Sequence, residues 1–361
     1  MSARDLRPLL LATLGGLCLC GPARAADPAG FGAWPPRWSS PSGSLKLELT
    51  GHLQLDARAF DGWSVAGDGG DSLRADETEV RRARVGLEAR WERLELELEA
   101  DLADAEEHLK DAWLGWRLGR GLRLRAGRMK VPVSHEWLTG SKRLDFVERS
   151  LPVSAIAPGR DWGVLALARL GRLDAQAGVF AGDGAADASR SGTTVAGRLA
   201  WRVARDFELG ASGSGGDVAA DLPTQADPRP LGLAGDSASG YRFFGRKFVD
   251  GHRRRLGLDA SLGLGPVTLA GEVLDLREER RGQGALLDDL PAERARGWSA
   301  SAVWRVLHGP SQGNGPAART LELGLRLEQL RFDDAGPDAG FAGVGNRARN
   351  IRPQSARVLT S

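Results

Sequence analysis

Cysteine is almost missing. Cys18 and Cys20 are the only two in 361 residues, and both lie in the first 25. That stretch, "MSARDLRPLLLATLGGLCLCGPARA", has an Arg-bearing start, an apolar run from Leu9 to Leu19, and Ala23-Arg24-Ala25 as a small-x-small cleavage site. Residues 1–25 are therefore expected to be a signal peptide. Its removal leaves a chain with no disulfide or thiol chemistry. Leu19 precedes Cys20 where a lipid-anchor site wants a small residue, so no lipid anchor is expected.

Other absences exclude further classes. No apolar run reaches about 18 residues, so no membrane-spanning helix is expected. Charge of either sign is not in excess: there are 49 Lys and Arg against 47 Asp and Glu, and removing the three bases and one acid of the leader leaves 46 of each. Without a basic surplus, no nucleic-acid partner is expected. The five histidines, His52, His108, His135, His252 and His308, show no metal-ligand spacing. No serine motif for acyl transfer appears. The expectation is a protein without enzymatic activity, metal or cofactor.

What the chain has is alternation. Residues 26–44 are rich in Pro, Gly and Ser and read as a periplasmic linker. Then, from Leu45 to Arg58, Leu45, Leu47, Leu49, Leu53, Leu55 and Ala57 alternate with Lys46, Glu48, Thr50, His52, Gln54 and Asp56. A strict period of two is a strand with one apolar face. The pattern returns at 82–91, at 94–101, where the polar set is Glu95, Glu97, Glu99 and Asp101, at 255–264 and at 321–328. About fourteen such strands can be traced, the last a fragment starting near Gln354. Tight connections ("WER", "GLGPV") alternate with long Gly- and Asp-rich ones at 62–79, 214–253 and 277–295. Short turns on one side and long loops on the other suit a transmembrane barrel. So do strands of about ten residues and a polar face dense in charge. Trp63, Trp91, Trp116, Trp162, Trp201, Trp298 and Trp304 recur near strand ends, where an interfacial belt would sit. A soluble two-sheet sandwich would instead bury the apolar faces against each other.

One segment breaks the regularity. "DFVERSLPVSAIAPGRDWGV", Asp145 to Val164, is charged and Pro-broken, and forms neither a clean strand nor a clean helix. It closes an ordered series: "RRARVGLEARW", "ELELEADLADA", "LKDAWLGWRL", "LRLRAGRMKVPVSHEWLTGS" and "DFVERSLPVSAIAPGRDWGVLAL". Gly127, Lys130 and Pro132 form G-x-x-K-x-P. Phe146 to Pro152 form F-x-E-R-S-L-P, and Pro158 to Gly163 form P-G-R-D-x-G. Residues 80–165 thereby resemble the phosphate-selective porin O/P family of bacterial outer-membrane channels.

The resemblance implies an all-β transmembrane antiparallel barrel occupying 45–361, of sixteen strands in the family, and a homotrimer in outer-membrane lipid. Its third long loop folds into the lumen as a constriction, a place that residues 132–161 occupy here. It implies passive passage of phosphate or other small anions. Met129 and Val133 stand where the family commonly has Phe. The family also continues past "QSARVLTS" to a C-terminal Phe, so the closing strands are expected to be missing, with an open edge beside the first strand.

An anion pathway needs cations at a narrowing, and forked Arg or point-charge Lys suits phosphate. Loop candidates are Lys130, Lys142, Arg143 and Arg160; wall candidates, by parity, are Arg82, Arg84, Arg123, Arg125 and Arg198. Glu148 and Arg149 are expected to anchor the loop. Any one of these bases could equally close a lumen salt bridge with Glu95, Glu97, Glu99, Glu148 or Asp161. A weakly selective general porin and a plugged barrel with a structural or surface-binding role are the alternative readings. Gly127, where the apolar parity breaks, is expected to mark a bulge.

Overall fold

Period-two segments become strands because each carries one apolar and one polar face, and each backbone donor and acceptor finds its partner on a neighbouring strand. The computed structural model describes residues 36–59, 76–104, 107–182, 192–218, 235–236, 242–244, 249–282, 288–308, 320–333 and 354–360. The expected signal peptide and Trp63 lie outside the described residues.

Six strands come first: β1 (Arg37–Ser39), β2 (Leu45–Ala59), β3 (Asp76–Trp91), β4 (Leu94–Asp101), β5 (Leu109–Arg117) and β6 (Leu122–Lys130). An irregular segment follows, with α1 (His135–Leu138), a single 3₁₀ turn at Ser141–Arg143, and α2 (Leu151–Ile156). Then come β7 (Arg160–Leu170), β8 (Leu173–Ala181), β9 (Thr193–Ala204) and β10 (Phe207–Val218). β11 (Gly235–Asp236) and β12 (Arg242–Phe244) make a separate two-stranded ribbon. The chain resumes with β13 (Gly251–Leu264), β14 (Val267–Arg280), β15 (Leu290–His308), β16 (Thr320–Phe332) and β17 (Gln354–Thr360). Apart from the ribbon, all strands form one fifteen-stranded sheet in sequence order, every ladder antiparallel. β1 and β17 are the two ends of that order, and no ladder joins them among the described residues.

The sheet curls. Lys142 Nζ reaches the carbonyl of Gly51 in β2 at 3.1 Å, while Arg326 of β16 donates to the carbonyl of Glu148 at 2.8 Å. One short irregular segment thus touches strands from both ends of the order, which requires the sheet to wrap around it as an antiparallel barrel.

The outer face is apolar. Leu49, Leu53, Leu323, Leu325 and Leu327 are each about half or more exposed, and Leu47 is half-buried beside Trp38 of β1. No second sheet covers them among the described residues, which removes the sandwich. Trp91, Trp116, Trp201 and Trp304 sit on this face at the tight-turn end of their strands, and Trp162 at the opposite end. Trp298 departs from the expected pattern, because it lies well inside β15.

Three further expectations need correction. Arg37–Ser39, read as linker, pair with Glu48–Lys46 as β1. The loops placed at 214–253 and 277–295 are shorter: β10 runs to Val218, β13 begins at Gly251, β14 reaches Arg280 and β15 starts at Leu290. Their outward charges, such as Asp217 and Arg277, mimic loop composition although the ladder continues through them. Gly127 marks no bulge, since the register runs unbroken on both sides. Glycine is required there because φ is +132° and a Cβ would lie 2.7 Å from Trp113 Cα.

The inner face is not uniformly polar either. Leu274, Leu276, Ala295, Leu330 and Phe332 point inward and are covered by Leu151, Val153 and Ile156 of α2. A second inner cluster holds Trp113, Met129, Val131, Val133, Leu165, Phe180 and Ala196. A side chain buried this way contributes about 1.5–3 kcal/mol, so the irregular segment is packed against the wall as firmly as a core element.

Placing a charge on the apolar outer face tests what that face meets. Leu325→Arg is expected to cost about 2–4 kcal/mol in equilibrium unfolding from lipid vesicles. A cost near zero would place that position in water.

Candidate functional site

The irregular segment between β6 and β7 is held on the polar face by charges of both signs. Its first anchor is a helix start. Ser134 has φ 72°, and its Oγ accepts from Trp137 N at 3.0 Å. Ser134 N donates to Ser212 Oγ of β10 at 3.1 Å. The Glu272 carboxylate, on β14, accepts from His135 N at 3.2 Å and Glu136 N at 3.3 Å. The first amides of a helix have no intrahelical partner and carry partial positive charge, so a carboxylate is the matching cap.

α2 is gripped at both ends by the same logic. Glu328 Oε2 accepts from Leu151 N at 2.9 Å, and Arg255 Nε donates to Ile156 O at 2.9 Å. An acid meets the amide end and a base the carbonyl end. Pro152 is seated closely: a Cβ on Gly297 of β15 would meet its ring at 2.5 Å.

Between the helices, Arg326 and Glu136 form the centre. Arg326 donates to the carbonyls of Glu148 (2.8 Å) and Arg149 (3.4 Å) and to Glu136 Oε1 (3.4 Å). It also pairs with Glu328 at 3.3 Å and lies 4.6 Å from the centre of the Phe146 ring. Glu136 in turn accepts from Ser150 N (3.0 Å) and Ser150 Oγ (2.6 Å). On the other side, Arg81 of β3 pairs with Glu148.

The two residues expected to anchor the loop sit in this network. Glu148 touches Arg81 with its carboxylate and Arg326 with its carbonyl. Arg149 donates to the carbonyls of Thr139 (2.8 Å) and Glu136 (3.3 Å) and lies 4.9 Å over the Trp137 ring. Burial, and then the neighbouring charge of Arg82, pull the Arg149 guanidinium down to about 10, which still leaves it charged at neutral pH.

The pathway candidates divide into two groups. Arg84, Arg160 and Arg198 are neutralised by carboxylates. Arg84 meets Asp101 at 2.9 Å and Glu99 at 3.0 Å, Arg160 meets Asp111 at 3.0 Å, and Arg198 grips Asp259 through both terminal nitrogens. The others have neutral partners, or no ion pair among the described residues. Lys130 donates to the carbonyls of Trp137 (2.7 Å), Leu138 (3.4 Å) and Thr139 (3.2 Å), so it ties the base of the segment. Lys142 is exposed and meets only the Gly51 carbonyl at 3.1 Å. Arg82 donates to the Gln54 amide at 2.5 Å, and Arg125 stacks 3.8 Å from the Trp113 ring centre. Arg143 and Arg123 make no ion pair among the described residues. A neutral partner fixes a cation without cancelling its charge.

Acids line part of the same face. Glu95 pairs with Arg117 at 3.5 Å, while Glu97 makes no ion pair among the described residues. No cluster of three or more His, Cys, Asp or Glu forms a metal site among the described residues.

Sequence reasoning missed Arg81, Glu136, Arg255, Glu272, Arg326 and Glu328. A signal existed for three of them: Arg255 holds the polar parity of β13, Arg326 and Glu328 that of β16, and an inward charge on a strand needs a partner. The identity of that partner, up to 190 residues away, had no local trace.

Comparison with known proteins follows the geometry. The sequence model of the family described as phosphate-selective porin O and P matches residues 47–335. Among solved structures, the chain is similar to outer-membrane expressed OmpT of Vibrio cholerae, with 10% identity and a TM-score of 0.51 over 80% of this chain and 77% of that one. It is also similar to the loop L8 deletion mutant of that protein, with 10% identity and a TM-score of 0.52 over 88% and 87%. At such identity the likeness is one of fold. No curated protein matches the chain.

Arg326 supports a direct test of the strap. Arg326→Gln is expected to destabilise the segment by about 3 kcal/mol, because it leaves the buried Glu328 and the half-buried Glu136 without their cation. Limited proteolysis of the folded protein checks this. Faster cleavage within 141–149 is expected, and wild-type protection would show that the apolar seat of α2 holds the segment alone.

Proposed function

The chain belongs to the phosphate-selective porin O and P family, and on that premise we propose that it conducts small anions passively, with phosphate or polyphosphate preferred. The family and the barrel fold are those of an outer-membrane channel rather than an enzyme. The proposal concerns what passes and where.

Segment 132–161 is the proposed constriction. A wide barrel would leave an open aqueous lumen, and a segment strapped across the polar face narrows it. The observation that carries the anion reading is the partnering of the cations. Lys142, Arg82 and Arg149 are held by carbonyl or amide oxygens, so their positive charge stays available. Beside a low-dielectric wall such charge attracts anions more strongly than it would in open water. Lys142 and Arg143, exposed on the 3₁₀ turn, are the proposed contacts for a passing anion. Lys130, Glu148 and Arg149 are proposed to set the position of the segment. Cleavage of residues 1–25 on export, as the pattern of the leader implies, and assembly as a homotrimer, as the family resemblance implies, complete the proposal.

A second reading has its own observation. Glu95, Glu97 and Glu99 lie along one strand of the wall, and past the expected leader the chain has 46 bases against 46 acids. Both facts favour a channel of weak selectivity.

Reversal potential in a salt gradient across a planar bilayer separates the two readings. The wild-type protein is expected to favour anions. Lys142→Gln with Arg143→Gln is expected to lower the anion-to-cation permeability ratio by about fivefold or more, from roughly 1 kcal/mol of attraction per charge. Lys130→Gln is expected to raise conductance instead, by freeing the carbonyls it ties. An unchanged ratio in the double variant would move selectivity to Arg82, Arg123 and Arg125. Cation preference in the wild type would leave the weakly selective porin.

A further inference from the structure

The outer face carries one feature that passage through the lumen does not use. On the long-loop side, above the apolar band, Arg254 of β13 stands directly opposite Arg277 of β14, which stands directly opposite Arg294 of β15. All three are exposed, and none has an ion pair or side-chain hydrogen bond among the described residues. Like charges directly across a ladder destabilise it, and here three are aligned.

The surroundings make the row specific. One level below it, Arg296 pairs with Asp275 at 2.8 Å; at the row's own level Asp333 stands opposite Arg294 and pairs instead with Arg331 at 3.5 Å. The acid one level above, Glu279, is taken by Arg281 at 2.6 Å and by the amide of His252. Asp217, diagonal to Arg254, meets His252 at 3.3 Å, and among the described residues no carboxylate forms an ion pair with any of the three arginines. Further down, the same strands turn apolar, with Leu258, Val273 and Trp298 abreast and exposed.

Height places the row. Arg254 lies ten residues along β13 from Leu264, the residue at the tight-turn end. At about 3.3 Å per residue and a tilt near 40°, that is roughly 25 Å, the height of the apolar band of such barrels. The three guanidinium groups therefore stand at the level of lipid headgroups in the leaflet facing the long loops, which is the outer one.

We propose that Arg254, Arg277 and Arg294 form a docking surface for phosphate-bearing lipid of the outer leaflet. Arginine grips phosphate bidentately, and strand spacing of about 4.8 Å sets the three forks across roughly 10 Å, the breadth of one large headgroup or two small ones. The acyl chains of that lipid run down over Leu256, Leu258 and Val273. Bound phosphate removes the repulsion that the bare row would suffer. This surface is independent of what the lumen conducts.

Lipid selectivity at the protein surface tests it. The purified protein is placed in phosphatidylcholine vesicles holding a minor share of spin-labelled phosphatidic acid. The fraction of label immobilised by the protein is compared with that of spin-labelled phosphatidylcholine. The wild type is expected to prefer phosphatidic acid by about fivefold or more, since each surface base contributes about 1 kcal/mol. Arg254→Ser, Arg277→Ser and Arg294→Ser together are expected to abolish most of that preference, and Lys at the three positions to keep part of it. Arg277→Ser alone removes the centre of the row with little risk to folding and is expected to cost about twofold or more. Arg305→Ser, at the tight-turn end and paired with Glu322, is expected to change nothing. Equal preference in the wild type and in both serine variants would overturn the proposal, as would an equal loss in Arg305→Ser. Loss of oligomer with lipid preference intact would also overturn it, by giving the row to a second copy of the chain.

Discussion

Hydrocarbon offers no hydrogen bonds, so every backbone N–H and C=O at membrane depth must find its partner inside the protein. The rest of this molecule follows from that demand. Neighbouring strands satisfy each other in sequence order, which fixes a single antiparallel sheet with short returns on one side. Once the strands are paired, each has only two faces left. One meets lipid and is apolar, and the other meets water and carries the charge. The outward Leu rows and the inward Arg and Glu rows are two results of one register.

The irregular segment faces the same demand without a ladder to meet it. Its helices are too short to satisfy themselves, and side chains of the wall substitute for neighbouring strands. Glu272 and Glu328 accept the amides at the starts of α1 and α2, and Arg255 donates to the carbonyl at the end of α2. Apolar packing supplies the adhesion, through Leu151, Val153 and Ile156 on the inner faces of β14 to β16. Several charges on the polar face of the wall are thus occupied in holding the segment.

Strand after strand was legible in the sequence because period-two patterning is local: a reader of 45–58 or 321–328 needs no other part of the chain. The fragment near Gln354 was legible for the same reason. β1 was not, since three residues cannot display a period. The extension of β14 through Arg277 was hidden because exposed charge resembles loop. At the site, Glu148 and Arg149 could be singled out from their place in a Pro-stiffened motif, although their partners could not. The tie of Lys130 to the carbonyls of 137–139 could not be read, because carbonyls leave no mark in sequence. Nor could the meeting of Glu136 with Arg326, which depends on how far the sheet curls.

That meeting bears on the order in which the protein can fold. The contacts that seat the segment on β14 and β16 join residues separated by 136 to 190 positions, whereas hairpin ladders such as β3 with β4 close over a few residues. Bringing distant chain segments together is entropically costly until the intervening strands have already shortened the path. The segment cannot dock on β14 and β16 before those strands exist and the sheet has curved to face it. Its apolar side, Leu151 to Ile156, therefore stays uncovered through most of folding, and the lumen takes its final cross-section only when the wall around it is nearly built.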